Sequence, residues 1–288
     1  MTVIDFHTHI APPWVRDCRA QLARDDACFG ALYADPRARL ATADELLASM
    51  DEAGVSASVA LNLGWTSGSM CARTNDYLLE SGARWPGRII PFVAVQPADP
   101  DTAAKELERC IAASARGIGE LRPDIQGFAL ADADRLRPVV DMATAHGLPI
   151  LTHVSEPVGH VYPGKGAVTP EQPYDFARAF PEAVLVCAHW GGGLPFYSLM
   201  PEVRQALARV FFDSAASHYL YSRDVFRVTA GLVGADHILL GSDFPLIRQQ
   251  RAIEEVRRAG LPEPDAIAIL GGNAGRLLAQ GGGNDARE

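Results

Sequence analysis

Two histidines stand two residues apart in Asp5-Phe6-His7-Thr8-His9, inside a short apolar run that reads as a strand. In a strand alternate side chains share a face, so Asp5, His7 and His9 turn one way while Ile4, Phe6 and Thr8 turn the other. Two imidazoles roughly 7 Å apart along a strand can converge on one cation through nitrogen–metal bonds of about 2 Å. Four further strand candidates end in a ligand-type residue: Gly119-Glu120-Leu121-Arg122, Leu151-Thr152-His153, Cys187-Ala188-His189 and Gly241-Ser242-Asp243. Imidazole with carboxylate suits zinc first, and also manganese, iron or cobalt. Such an ion lowers the pKa of bound water to about 7 and polarises a carbonyl. Cys187 lies two residues before His189 and reads as packing.

Those residues can meet only if the fold gathers strand ends. Apolar, β-branched runs fall at 3–9, 57–63, 89–95, 117–122, 149–153, 184–189, 210–214 and 238–243, with helix-period segments at 43–53, 74–84, 102–115, 136–146, 174–180 and 223–233 between them. Strands alternating with helices, and no flexible linker between halves, predict an α/β fold built as a single (β/α)8 barrel of the TIM type. A doubly wound sheet is the alternative, but it would place a glycine-rich phosphate loop where this chain has His-Thr-His followed by Ala-Pro-Pro. In a parallel barrel all C-terminal strand ends lie on one rim, where active sites of this fold are built. The segment from Ile10 to about Thr42 is far longer than a barrel connection needs and carries Trp14, Phe29 and Tyr33, which predicts a lid-like insertion after strand one. A second long, polar loop runs from Val154 to about Pro173 with Glu156, His160, Tyr162 and Lys165. Residues 1–279 are read as the barrel and 280–288 as a flexible tail unable to bury apolar surface.

The motifs DFHTH, LTH, CAHWGG and LLGSDFP, closed by Gly272-Asn273-Ala274-Gly275-Arg276-Leu277-Leu278, run in order from Asp5 to Leu278. The set resembles the amidohydrolase superfamily, and within it the amidohydrolase-2 branch that includes aminocarboxymuconate-semialdehyde decarboxylase and related hydrolases. The resemblance implies a distorted barrel and a divalent metal, one or two ions, held by His7, His9, His153 and Asp243. It makes His189 a second-metal ligand or a polarising, proton-transferring side chain. Several superfamily members bridge two metals through a carboxylated lysine at the end of strand four. The only lysines here are Lys105, in a predicted helix, and Lys165, in a loop. Glu120 instead matches the strand-four glutamate of the TatD-like nucleases, a metal ligand there. It either bridges two metals or sits beside a mononuclear site, paired with Arg122.

Asp243 and His189 are the expected catalytic pair, Asp243 as general base and His189 polarising the carbonyl. Arg122 could hold a carboxylate in bidentate geometry. Trp190, next to His189, and His218, in the loop after strand seven, complete the expected substrate contacts. His146 and His237 read as structural, and Asp5 as orienting a ligand imidazole from below. The leading expectation is a metal-dependent hydrolase cleaving a lactone, ester or amide in a small molecule. The alternatives are a metal-dependent, non-oxidative decarboxylase of an aromatic or unsaturated carboxylic acid, and a barrel that binds metal or ligand without turnover.

Composition excludes more than it selects. Lys and Arg total 26 against 35 Asp and Glu, a net charge of −9 that offers no general attraction to nucleic acid or anionic membranes. The five scattered cysteines form no C-x-x-C pair, and no signal-peptide pattern or membrane-length apolar run is seen. A cytoplasmic enzyme with reduced thiols is the expectation. A homodimer fits the apolar residues of the first long loop and, chiefly, the resemblance to a frequently dimeric family.

Overall fold

The computed structural model describes residues 2–280. Eight strands, β1 (Ile4–His9), β2 (Ala57–Leu61), β3 (Ile89–Val93), β4 (Gly117–Leu121), β5 (Ile150–Thr152), β6 (Leu185–Cys187), β7 (Val210–Asp213) and β8 (Ile238–Leu239), pair in sequence order. Every pairing is parallel. Past the end of β8 the chain closes onto β1: Phe6 N–H donates to Leu240 O at 2.7 Å, Asp243 N–H to His7 O at 2.9 Å and His9 N–H to Phe244 O at 2.7 Å. The fold is the expected TIM barrel.

Phe6, Val59, Leu61, Phe92, Leu151, Val186 and Leu239 form one buried cluster. Side chains from strands so widely spaced around the sheet can meet only in the barrel's interior. Phe6 and Phe92 pack edge to face at 5.5 Å. Gly117 is required there, because a Cβ on it would stand 2.4 Å from the Phe92 ring. The GNA motif does structural work nearby, Asn273 Nδ2 donating to Ile238 O at 2.7 Å and Ala235 O at 2.8 Å.

The insertion forms three short helices, α1 (Pro13–Asp17), α2 (Arg19–Asp25) and α3 (Ala27–Tyr33), followed by α4 (Ala43–Ala53), which opens on a Thr42–Glu45 capping box. Buried Asp26 fixes it: Oδ1 caps α3 by accepting Phe29 N–H at 2.9 Å, while Oδ2 accepts Thr66 N–H at 2.8 Å and the Thr66 hydroxyl at 2.6 Å. Phe29 stacks on Trp65 at 5.4 Å, and Arg73 lies 3.6 Å over the Trp14 ring. The insertion is thus a cover bolted onto the loop after β2. Among the described residues no helix is long and apolar enough to cross a membrane. Of the expected tail, Gln280 ends the helix Asn273–Gln280 and the remainder lies outside the described residues.

Candidate active site

The rim brings six of the singled-out residues together. His7 Nε2 and His9 Nε2 face one another at 3.1 Å, and Asp243 Oδ1 lies 3.7 and 3.5 Å from them. Glu120 stands in the middle. Its Oε2 is 3.6 Å from His9 Nε2, and its Oε1 is 2.9 Å from His153 Nδ1 and 3.6 Å from His189 Nε2. The donors form three overlapping sets: His7, His189 and Asp243; His7, His9 and Glu120; and Glu120, His153 and His189. Glu120 therefore spans two ligand sets, one oxygen to each. Nitrogen and oxygen donors converging this closely fit a divalent cation.

A residue absent from the sequence-based expectations organises the centre. Asp213, at the end of β7 and fully buried, accepts from His7 Nδ1 at 2.8 Å through Oδ2. Its Oδ1 accepts the backbone N–H of His189 and of Ala215, both at 3.0 Å. The available signal was its position, an acid at a strand's C-terminal end like the others. Ser155 is a second missed residue, its hydroxyl bridging His153 Nε2 at 3.0 Å and Gly166 N–H at 2.9 Å. Tyr33 of the insertion closes over His9 with Leu40 and Pro245 around a cavity of about 10 Å³.

Charge within the cluster is sorted by these contacts. Burial pulls the His7 imidazole down, but the Asp213 carboxylate, helped by Asp243 and Glu120, lifts its pKa to about 10. Burial and then the neighbouring His7 push His9 down. Burial and Arg122 lower His153 to about 4 against the pull of Glu120. His189 is raised: burial opposes the charge, but contacts with Glu120 and Asp243 outweigh it. Its Nδ1 meets Ala215 O at 3.2 Å, so the ring carries a proton there and turns Nε2 toward Glu120.

Asp243 and His189 leave their strands in unusual backbone. Asp243 has φ 62°, and His189 opens a left-handed run through Trp190, Gly191, Gly192 and Gly193. Left-handed backbone costs roughly 1–2 kcal/mol at each non-glycine residue, a pattern concentrated at functional sites. Gly192 has no room for a side chain, since a Cβ would lie 2.3 Å from Ser155 O.

Three expectations are corrected by these placements. Trp190 does not line the site: the left-handed run turns it under the rim, where it is fully buried, donates to the Ser217 hydroxyl at 2.6 Å and packs edge-on against Phe226. His218 is drawn outward, bonded to Arg251 Nη2 at 2.6 Å and lying 3.3 Å from Glu255, in an exterior groove of about 440 Å³ that contains none of the cluster. Asp5 does not support a ligand imidazole. The β1–β2 register shifts between Asp5 and Thr8, and the Asp5 carboxylate instead takes Ser242, Gln249 and the backbone of His7. Arg122 lies beside His153. It is 2% exposed, its Nε makes no hydrogen bond but lies 3.6 Å from Asp124 Oδ1, and a Cβ on Gly166 would stand 3.2 Å from both Arg122 Nη2 and the His153 ring.

Known proteins share this sequence pattern and this fold. The family model described as Amidohydrolase matches residues 4–280. A gamma-resorcylate decarboxylase from Polaromonas sp. is 25% identical over 250 residues, covering 72% of this chain and 75% of that protein. The crystal structure of 5-carboxyvanillate decarboxylase from Sphingomonas paucimobilis superposes with a TM-score of 0.81 at 20% identity, over 96% of this chain and 99% of that one. A dihydroxybenzoic acid decarboxylase from Polaromonas sp., with bound manganese and the inhibitor 2-nitroresorcinol, gives a TM-score of 0.75 at 20% identity, over 96% of this chain and 97% of that one. The expectation of a hydrolase is corrected by these relatives, which are decarboxylases.

Proposed function

The chain belongs to the amidohydrolase family, and from that premise we propose that it is a metal-dependent, non-oxidative decarboxylase of an aromatic or unsaturated carboxylic acid. The observation that carries this reading is Arg122, a buried guanidinium whose Nε makes no hydrogen bond, against the His153 side of the ligand cluster. Asp124 Oδ1, at 3.6 Å, is the acid it faces. Such a group suits a substrate carboxylate at the edge of the centre.

His7, His9, His153 and Asp243, with Glu120 between them, would hold the cation. Bound there, a divalent ion supplies positive charge that stabilises the electron pair released as CO2 departs. Imidazole–carboxylate donors serve manganese as well as zinc. Manganese, carried by the related Polaromonas enzyme, is the ion we assign first in place of zinc.

Arg122 binds the acid and orients it. When the bond to the carboxyl carbon breaks, its electron pair stays on the substrate carbon, which then takes a proton. His189 holds that proton at Nε2, with the ring fixed by Ala215 O and by the Asp213 contact to its backbone. The Asp243 carboxylate lies within 4.8 Å of the His189 donor nitrogen and returns a solvent proton to it. The docked insertion, with Tyr33 over His9, limits water at the reacting carbon.

The test is incubation of manganese-loaded protein with panels of aromatic carboxylic acids and of lactones and esters, following CO2 and acid release. CO2 from one or more acids supports the reading. Cleavage of lactones or esters without CO2 from any acid overturns it.

A further inference from the structure

A carboxylate can meet Arg122 only after something moves, because that side chain is 2% exposed. The insertion is the fixed neighbour: buried Asp26 ties it to Thr66, and Phe29 stacks on Trp65. The loop after β5 is held differently. Its ends meet where Ser155 N–H donates to Val168 O at 2.7 Å, and both end residues are fully buried. Between them Pro157 to Val161 are exposed, Val158 by 74% and Val161 by 90%. The loop braces itself from within. The Tyr162 hydroxyl donates to Glu156 Oε2 at 2.9 Å, and Lys165 Nζ donates to Val158 O at 2.9 Å and to His160 O at 3.2 Å. A surface loop with joined ends and internal braces can open as one piece.

Its returning arm crosses the arginine. A Cβ on Gly166 would stand 3.2 Å from both Arg122 Nη2 and the His153 ring, and one on Gly164 would stand 3.0 Å from Leu32 of α3. Gly166 N–H donates to the Ser155 hydroxyl at 2.9 Å, and Ala167 N–H donates to Asp124 Oδ2 at 2.9 Å. Asp124 Oδ1 lies 3.6 Å from Arg122 Nε. One carboxylate thus holds the loop with one oxygen and faces the guanidinium with the other. We propose that residues 156–167 form a gate over Arg122, latched by Asp124 as its positioning residue, and that an acid reaches the guanidinium only while the gate is lifted. The inference deepens the decarboxylase reading and rests on it for the acid itself. An arriving carboxylate competes with Asp124 for Arg122, which couples binding to the latch. Closure afterwards keeps water from the reacting carbon.

The experiment reads the gate and the access it controls separately, on the manganese-loaded protein. Hydrogen exchange followed by mass spectrometry reports opening of 156–167, with the insertion and β5 as references. Phenylglyoxal, a small aromatic dicarbonyl that modifies arginine, reports access to Arg122, with the exposed Arg37 as reference. Arg122 should react far more slowly than Arg37. Asp124→Ala should speed both loop exchange and Arg122 modification by about 10- to 100-fold, the range for a hydrogen bond to a charged group. Tyr162→Phe removes a brace while leaving the charge beside Arg122 in place. It should speed both by about 3- to 10-fold, and it carries the test if Asp124→Ala fails to fold. The references should not change. Arg122 reacting as fast as Arg37 overturns the gate, and so does loop exchange that a folded variant leaves unchanged. Modification of Arg122 that follows exchange of the insertion instead of the loop also overturns it. CO2 plays no part in this readout. A protein that shows the gate but releases no CO2 from any acid overturns the decarboxylase reading and leaves the gate standing.

Discussion

Asp213 Oδ2 lies 2.8 Å from His7 Nδ1, and the same carboxylate fixes the backbone of His189 through Oδ1. One acid on β7 thereby sets the tautomer of a ligand on β1 and the start of the left-handed turn after β6. With Nδ1 committed to Asp213, Nε2 is the His7 nitrogen left for a cation.

Asp213→Asn should therefore weaken metal binding by about 10- to 100-fold, the usual range for losing a carboxylate behind a ligand histidine. The protein should stay folded. Competition against a chelator, read beside a thermal melt, measures this. Unchanged metal affinity would show that His7 is held by other means.

Metal uptake should depend steeply on pH. The apo protein keeps His7 protonated up to a pKa of about 10, and a cation must displace that proton. Affinity should rise with pH between 7 and 9, approaching about tenfold per unit if one proton is released per ion. Calorimetry in buffers of different ionisation enthalpy counts the proton. Asp213→Asn should flatten the dependence, because the raised pKa depends on that carboxylate.

Arg122→Met should act mainly on KM. The guanidinium meets the carboxylate before charge leaves it, so its contribution is to ground-state binding. A rise of about 10- to 100-fold in KM, with a smaller change in kcat, is the size of a charge-assisted hydrogen bond. Steady-state kinetics on any acid that releases CO2 decides it. A loss confined to kcat would place Arg122 in the bond-breaking step instead.

Gly192→Ala should destabilise the fold by about 2–4 kcal/mol, combining left-handed strain with a steric clash. The residue has φ 59°, and the new methyl would meet Ser155 O. Gly231→Ala is the control: nothing lies within 4 Å of its Cβ position, in the helix Asp224–Val233. Helix propensity there favours alanine by about 0.5–1 kcal/mol. Thermal or denaturant unfolding of the pair separates the two effects.

The sequence made the eight strands and the gathering of His7, His9, Glu120, His153, His189 and Asp243 legible, because strand ends in a parallel barrel share one rim. Orientation was less legible. Trp190 adjoins a ligand histidine, yet a left-handed run turns it against Phe226. His218 sits in a rim loop, but Arg251 and Glu255 draw it outward from a helix 33 or more residues later. Asp5 lost its expected role to a register shift that alternation cannot foresee. Asp213 was readable as an acid at a strand end, and only its contact with His7 shows its task. The reaction itself was not readable from the ligands, since one imidazole–carboxylate centre can activate water or stabilise the charge left by CO2.

The most direct test uses 2,6-dihydroxybenzoate and 5-carboxyvanillate labelled with carbon-13 in the carboxyl group. Each is incubated with manganese-loaded protein in deuterated buffer and followed by NMR. Decarboxylation predicts labelled CO2 and bicarbonate, with one deuterium on the vacated ring carbon of the product. Labelled acids that keep their carboxyl carbon, while the same preparation hydrolyses lactones or esters, would contradict it.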